Sequence, residues 1–164
     1  MNSFCFFSTL TLSIFSQSGL VSASTDGRVN FWSLANLRDP AESYMVNQNV
    51  SSLAVAPESH AVVCGDEQGG MNSILPPSSD GTSKRVVKSW SLKPSHFGMV
   101  TAVSTQSPNA NVAMRRGFLR GVHGMILTCG VDWTTKLWAP AFQEDAPILT
   151  FTSSSYDYMC DVRW

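Results

Sequence analysis

Apolar and polar positions along this chain alternate in short runs with a period of two rather than 3.6, the signature of half-buried strands. The clearest run is Leu20-Val21-Ser22-Ala23-Ser24, followed by Asp26-Gly27 and then Arg28-Val29-Asn30-Phe31-Trp32. Ile126-Leu127-Thr128-Cys129-Gly130, Asp132-Trp133 and Thr134-Thr135-Lys136-Leu137-Trp138 repeat the same design. In both copies a hydroxyl residue stands ten positions before the Trp and an Asp six before it. Two alternating runs joined by a tight turn with Asp predict a hairpin. A degraded copy, Ala61 to Ile74, aligns to the first without gaps and puts Cys64, Gln68 and Ile74 at the hydroxyl, Asp and Trp positions.

Hairpins repeated in one register predict a repeat architecture. Ile74 follows Trp32 by 42 positions, and Trp138 follows Ile74 by 64, so one period carries an insertion of about 20 residues over the usual 40–45. Residues 76–84, rich in Pro, Ser and Gly, and the polar stretch from Gln106 to Asn111 are the two places for it. The hairpins resemble the inner half of a WD40 propeller blade. The expected fold is all-β: an incomplete WD40 β-propeller of about three to four blades, each of four antiparallel strands. Strands are expected near 19–24, 28–34 and 42–47; 50–56, 61–65, 70–75 and 85–91; 99–104, 125–130, 134–139 and 147–152; and 157–164, opening a fourth blade. The first hairpin is expected to lack the strand that should precede it. No window carries a sustained helical period with caps, so little helix is expected.

Propellers have about 4–8 blades, and 164 residues supply fewer than a full ring at this period. The chain therefore reads as a divergent or non-native segment over 1–18 and a partial propeller over 19–164. The first residues are apolar enough for a signal-peptide core but lack its cationic start, and they are too short and too rich in Ser and Thr to span a bilayer. Alternation of Phe4, Phe6, Leu10, Leu12 and Ile14 with smaller residues suits a strand instead.

Eleven basic against twelve acidic residues leave a net charge of −1, with no basic stripe for nucleic acid. Neither nucleic-acid binding nor membrane insertion is expected. Cys5, Cys64, Cys129 and Cys160 are scattered and make no CxxC pair. The reading is reduced thiols, with Cys64 and Cys129 buried in strands.

None of His60, His96 and His123 pairs with another His or Cys at metal-ligand spacing, so no metal or other cofactor is expected. His96, Asp132 and Thr128 have the residue types of a nucleophilic triad. The structural reading is stronger, because WD40 repeats use a His in the loop before a blade, the turn Asp, a strand hydroxyl and the following Trp as a polar network. His96, Thr128, Asp132 and Trp138 occupy those four positions, and Ser22, Asp26 and Trp32 occupy three of them in the first copy. No glycine-framed serine and no P-loop is present, so the chain is expected not to be an enzyme. Arg115, Arg116 and Arg120, around Phe118, read either as a solvated loop or as a partner contact. Trp133 occupies a turn position where WD40 repeats usually carry a small or polar residue; it reads as an interface anchor or as blade-edge packing.

Three segments resemble the dynein intermediate chains. Val21 to Leu34 resembles that family's VSTDGRVCFWSL blade, Asp132 to Trp138 its DWTVKLW, and Tyr156 to Trp164 its DYVYDVMW, in the same order. The resemblance runs from about Gly19 to Trp164 and looks closer to the cytoplasmic than to the axonemal form. It departs over residues 1–15, 76–81 and 105–121. It implies a non-catalytic WD40 subunit that binds the dynein heavy chain and assembles with other dynein subunits in the cytoplasm, on microtubules. The family's light-chain- and dynactin-binding region has no counterpart here, so those activities are not carried over. A WD40 scaffold of another multiprotein complex is the alternative.

Overall fold

The structure is a computed structural model describing residues 9–16, 19–46, 49–57, 60–75, 88–89, 95–106, 124–139, 146–154 and 161–163. The first sheet comprises β1 (Thr9–Ser16), β2 (Gly19–Ser24), β3 (Arg28–Ser33) and β4 (Glu42–Met45). The second comprises β5 (Val50–Val55), β6 (Val62–Asp66), β7 (Met71–Ile74) and β8 (Lys88–Ser89). The third comprises β9 (Val100–Thr105), β10 (Ile126–Gly130), β11 (Thr134–Trp138) and β12 (Leu149–Thr152). Each sheet is antiparallel, with its strands side by side in chain order. No helix occurs among the described residues.

The sheets stack as blades. β5, the first strand of the second blade, lies alongside both β1 and β9. Strand periodicity divides the apolar residues between two interfaces, because neighbouring residues point to opposite faces. Val21, Ala23, Val29 and Phe31 of blade one pack against Val62, Cys64 and Ile74 of blade two. Val63 and Met71, on blade two's other face, pack with Val100, Ile126 and Trp138 of blade three. All of β6 and β7 is therefore buried. Phe31 meets Tyr44 edge-on, ring centroids 5.7 Å apart. Polar bonds reinforce the second interface: Ser51 and Ser52 donate to the Val100 carbonyl at 2.6 and 3.2 Å, and Thr105 to that of Val55 at 2.8 Å.

Two strand expectations change. The first hairpin has its leading strand, because β1 pairs with β2 from Thr9↔Ser24 to Ser16↔Gly19. Of 85–91, Lys88–Ser89 is strand, paired with Ser73 and Asn72, and the other positions lie outside the described residues. Of 157–164, only 161–163 is described, and it is not strand; a strand needs a ladder partner, and no described strand forms a fourth sheet. Cys64 and Cys129 are buried free thiols, and burial pushes the Cys64 thiol up to about 12. Cys5 and Cys160 lie outside the described residues.

Candidate functional site

The third blade brings four distant residues into one chain of hydrogen bonds. His96, fully buried, lies in the loop before β9; Thr128 is on β10, Asp132 in the β10–β11 turn and Trp138 at the end of β11. Trp138 Nε1 donates to Thr128 Oγ1 at 2.9 Å. Thr128 Oγ1 lies 2.7 Å from His96 Nε2, and His96 Nδ1 lies 2.9 Å from Asp132 Oδ1. A carboxylate only accepts, so Nδ1 carries a proton, and in the neutral ring that burial favours Nε2 accepts from Thr128. Each donor in this chain then has an acceptor.

Asp132 is the hub. Its oxygens also accept from the Phe97 N–H at 2.9 Å, the Thr134 N–H at 3.1 Å and the Thr134 hydroxyl at 2.7 Å. Lys136 Nζ stands 3.8 Å from Oδ2 and donates to the Ser95 carbonyl at 2.6 Å. Burial favours the neutral acid, but the bonds from Thr134, His96 and the Phe97 N–H outweigh it and hold the carboxyl at about 2. Burial lowers the His96 pKa and outweighs the bond and charge of Asp132, while the Lys136 charge adds to the lowering. His96 is thus neutral at neutral pH, with Nε2 free to accept from Thr128.

Both shifts have the same sign for stability. Each folded pKa lies below its reference, 6.5 for His96 and 3.8 for Asp132, so the unfolded chain takes up protons first on acidification. The stabilisation is complete above those values and fades as pH falls through them. The urea midpoint is expected to decline below about pH 6.5 and to drop again between pH 3.8 and about 2. In His96→Gln the upper decline should be absent; an identical profile in the variant would remove His96 as its source.

Hydroxyl, imidazole and carboxylate here lie in triad order, but Thr128 is fully buried and its oxygen already accepts the Trp138 proton. A nucleophile must reach substrate, so this arrangement holds the blade together rather than reacting. Blade one carries a shorter version. Trp32 Nε1 donates to Ser22 Oγ at 2.8 Å, while Asp26 accepts from the Arg28 N–H at 3.0 Å and faces the Arg28 guanidinium at 3.4 Å. Arg28, two residues on in the same hairpin, is the ion-pair partner of Asp26.

Blade two shows what sequence reasoning missed. Gln68 is not the polar hub of its turn. Buried Asp66, two residues earlier, accepts from the Gln68 and Gly70 N–H groups at 2.9 and 2.7 Å. Asp66 aligns with Ser24 and with Gly130. Ser24 Oγ accepts from the Asp26 N–H at 3.4 Å. At Gly130 a Cβ would lie 2.5 Å from His96 Nδ1, so the imidazole fills the space a side chain would take. The available signal was a polar residue two positions after the aligned strand position, Ser22 or Cys64, in the copies without a His.

Trp133 lies in the β10–β11 turn, 38% exposed, with φ 60°. Arg115, Arg116 and Arg120 lie outside the described residues. Among the described residues no group of three or more His, Cys, Asp or Glu is placed to hold a metal ion.

Comparison with solved structures places this chain beside U3-55K, with a TM-score of 0.62 at 15% identity over 90% of this chain and 40% of that one. The fold is that of WD40 β-propeller blades, an incomplete ring. No protein-family model matches the chain. Over 152 residues the chain is 29% identical to the cytoplasmic dynein 1 intermediate chain of Drosophila melanogaster, an alignment covering 88% of this chain. It spans about a fifth of that relative's length (20%).

Proposed function

We propose that this chain acts as a non-catalytic part of the dynein motor, its WD40 blades binding the dynein heavy chain in microtubule-based transport in the cytoplasm. The observation carrying this reading is the alignment to a dynein intermediate chain over 88% of the chain. The geometry supports it physically. The one hydroxyl–His–Asp constellation among the described residues is buried and committed to structure, while exposed apolar side chains lie on the loops at Phe97 and Trp133 and on the edge strand β12. A rigid scaffold with presented loops is suited to binding. A WD40 scaffold of another complex is the second reading, favoured by the likeness to U3-55K in fold.

Immobilised full chain is expected to recover a dynein heavy-chain tail, with the same yield in ATP, ADP or no nucleotide, since no nucleotide site takes part. Failure to recover the tail under all three conditions overturns the dynein reading and leaves the scaffold reading.

A further inference from the structure

We propose that Asp26–Gly27, in the β2–β3 turn, is a covalent modification site. The Asp26 carboxyl closes on the Gly27 nitrogen to a succinimide that reopens as isoaspartate, and the folded turn gates the reaction. The aligned turns of the three blades read Asp26–Gly27, Gln68–Gly69 and Asp132–Trp133. Closing the five-membered ring takes an Asp followed by a residue whose side chain leaves the nitrogen open to attack. Gln would close a slower six-membered ring, and a bulky residue after the Asp hinders the approach. Blade one alone combines both requirements. Its glycine also serves the fold, because Gly27 has φ 81°, a left-handed backbone that glycine adopts without strain. Asp-Gly suits a tight hairpin turn for that reason, so the pair that favours the turn is also the reactive one.

The chemistry uses water alone. The Gly27 nitrogen gives up its proton and bonds to Asp26 Cγ. The Cγ–OH bond of the carboxylic acid breaks, and that oxygen leaves as water with the proton. A water molecule then opens the imide. Opening at Cγ restores aspartate; opening at the Asp26 backbone carbonyl leaves the chain running through Cγ, as isoaspartate of unchanged mass. The Asp26 side chain is 30% exposed, so solvent reaches it.

Both reacting groups are engaged in the folded turn. The Gly27 N–H donates to the Ser24 carbonyl at 3.0 Å, and the Gly27 carbonyl accepts from the Val46 N–H at 2.8 Å. Asp26 Oδ1 accepts from the Arg28 N–H at 3.0 Å, and Oδ2 lies 3.4 Å from Arg28 Nε. The carboxyl is thus held on the residue beyond the nitrogen it would attack. Ring closure has to break these bonds, so it proceeds from a locally opened turn, and its rate follows the open fraction. Isoaspartate then adds a backbone atom between two strands paired from Gly19↔Ser33 to Ala23↔Val29. A turn that reacts while open cannot close in its former geometry.

The test incubates the full chain at neutral pH below its thermal midpoint, with and without denaturing urea. Isoaspartate at positions 26 and 80 is measured by peptide mapping with electron-driven fragmentation, which separates the isomers. Asp80–Gly81, the other Asp-Gly pair of the sequence, lies outside the described residues and serves as the chemical standard in urea. Expected are similar rates at the two positions in urea, and a rate at Asp26 slower by roughly tenfold or more without it. Isoaspartate at 80 without any at 26 in urea would overturn the site. Equal rates at 26 with and without urea, while circular dichroism shows the strands intact without it, would overturn the gate.

Discussion

Asp132→Ala is expected to lower stability by about 3 kcal/mol, read as a fall in urea midpoint with an unchanged slope. The carboxylate accepts from four groups, the His96 ring, the Phe97 N–H and the Thr134 N–H and hydroxyl. Alanine leaves the His96 Nδ1–H without its acceptor inside the protein, where the ring is fully buried. Stranding a buried donor costs about 1–3 kcal/mol, and bonds to a charged acceptor stand at the upper end. Asp26→Ala is the comparison and should cost no more than about 1 kcal/mol. Asp26 accepts from one backbone N–H, and its ion-pair partner Arg28 has a side chain 57% exposed. Equal losses at the two positions would show that the buried histidine adds nothing to the Asp132 hub.

Gly69→Ala is expected to cost about 3–5 kcal/mol, and to do so through the third blade. Gly69 has φ 86°, and a Cβ there would lie 2.0 Å from the His96 carbonyl oxygen and 2.8 Å from that of Gly98. The obstacle is backbone, so no rotamer change relieves it. Strain at a left-handed position contributes about 1–3 kcal/mol, and the displaced loop contributes the rest through the bonds made by His96 and Phe97. Because the two residues share one contact, Gly69→Ala and His96→Ala should be non-additive by about 1 kcal/mol or more in a double-mutant cycle. Strict additivity would mean that the loop accommodates the methyl group without moving His96.

The repeat was legible because its information is local. Spacing from hydroxyl to Asp to Trp fixed the hairpins, and the pairs Ser22↔Asn30 and Thr128↔Lys136 fall in the same register in the two copies. The group around His96 was also legible, since each member sits at a fixed offset within a blade. What escaped was context. β1 escaped as a blade strand because its sequence has no counterpart in the other copies, and a strand on a sheet edge is defined by its partner as much as by its residues. Asp66 escaped because the aligned Asp position holds Gln68, and a carboxylate two residues earlier has no place in the hydroxyl–Asp–Trp spacing. The strain at Trp133 was invisible, because nothing in a sequence reports φ, although aligned Gly27 and Gly69 mark the turn that demands it.

The position shared by Ser24, Asp66 and Gly130 makes substitutions in these blades depend on their order. Where a histidine loop is docked, the position must be empty; where none is docked, a hydrogen-bonding side chain closes the turn. A histidine placed ahead of β5 would meet Asp66, and removing Asp66 first would leave the Gln68 and Gly70 N–H groups without their acceptor. Neither single step is neutral, although the finished pair reproduces an arrangement the third blade already uses. Each blade is therefore held in its own solution by a valley between two stable alternatives, which lets neighbouring repeats keep different polar cores.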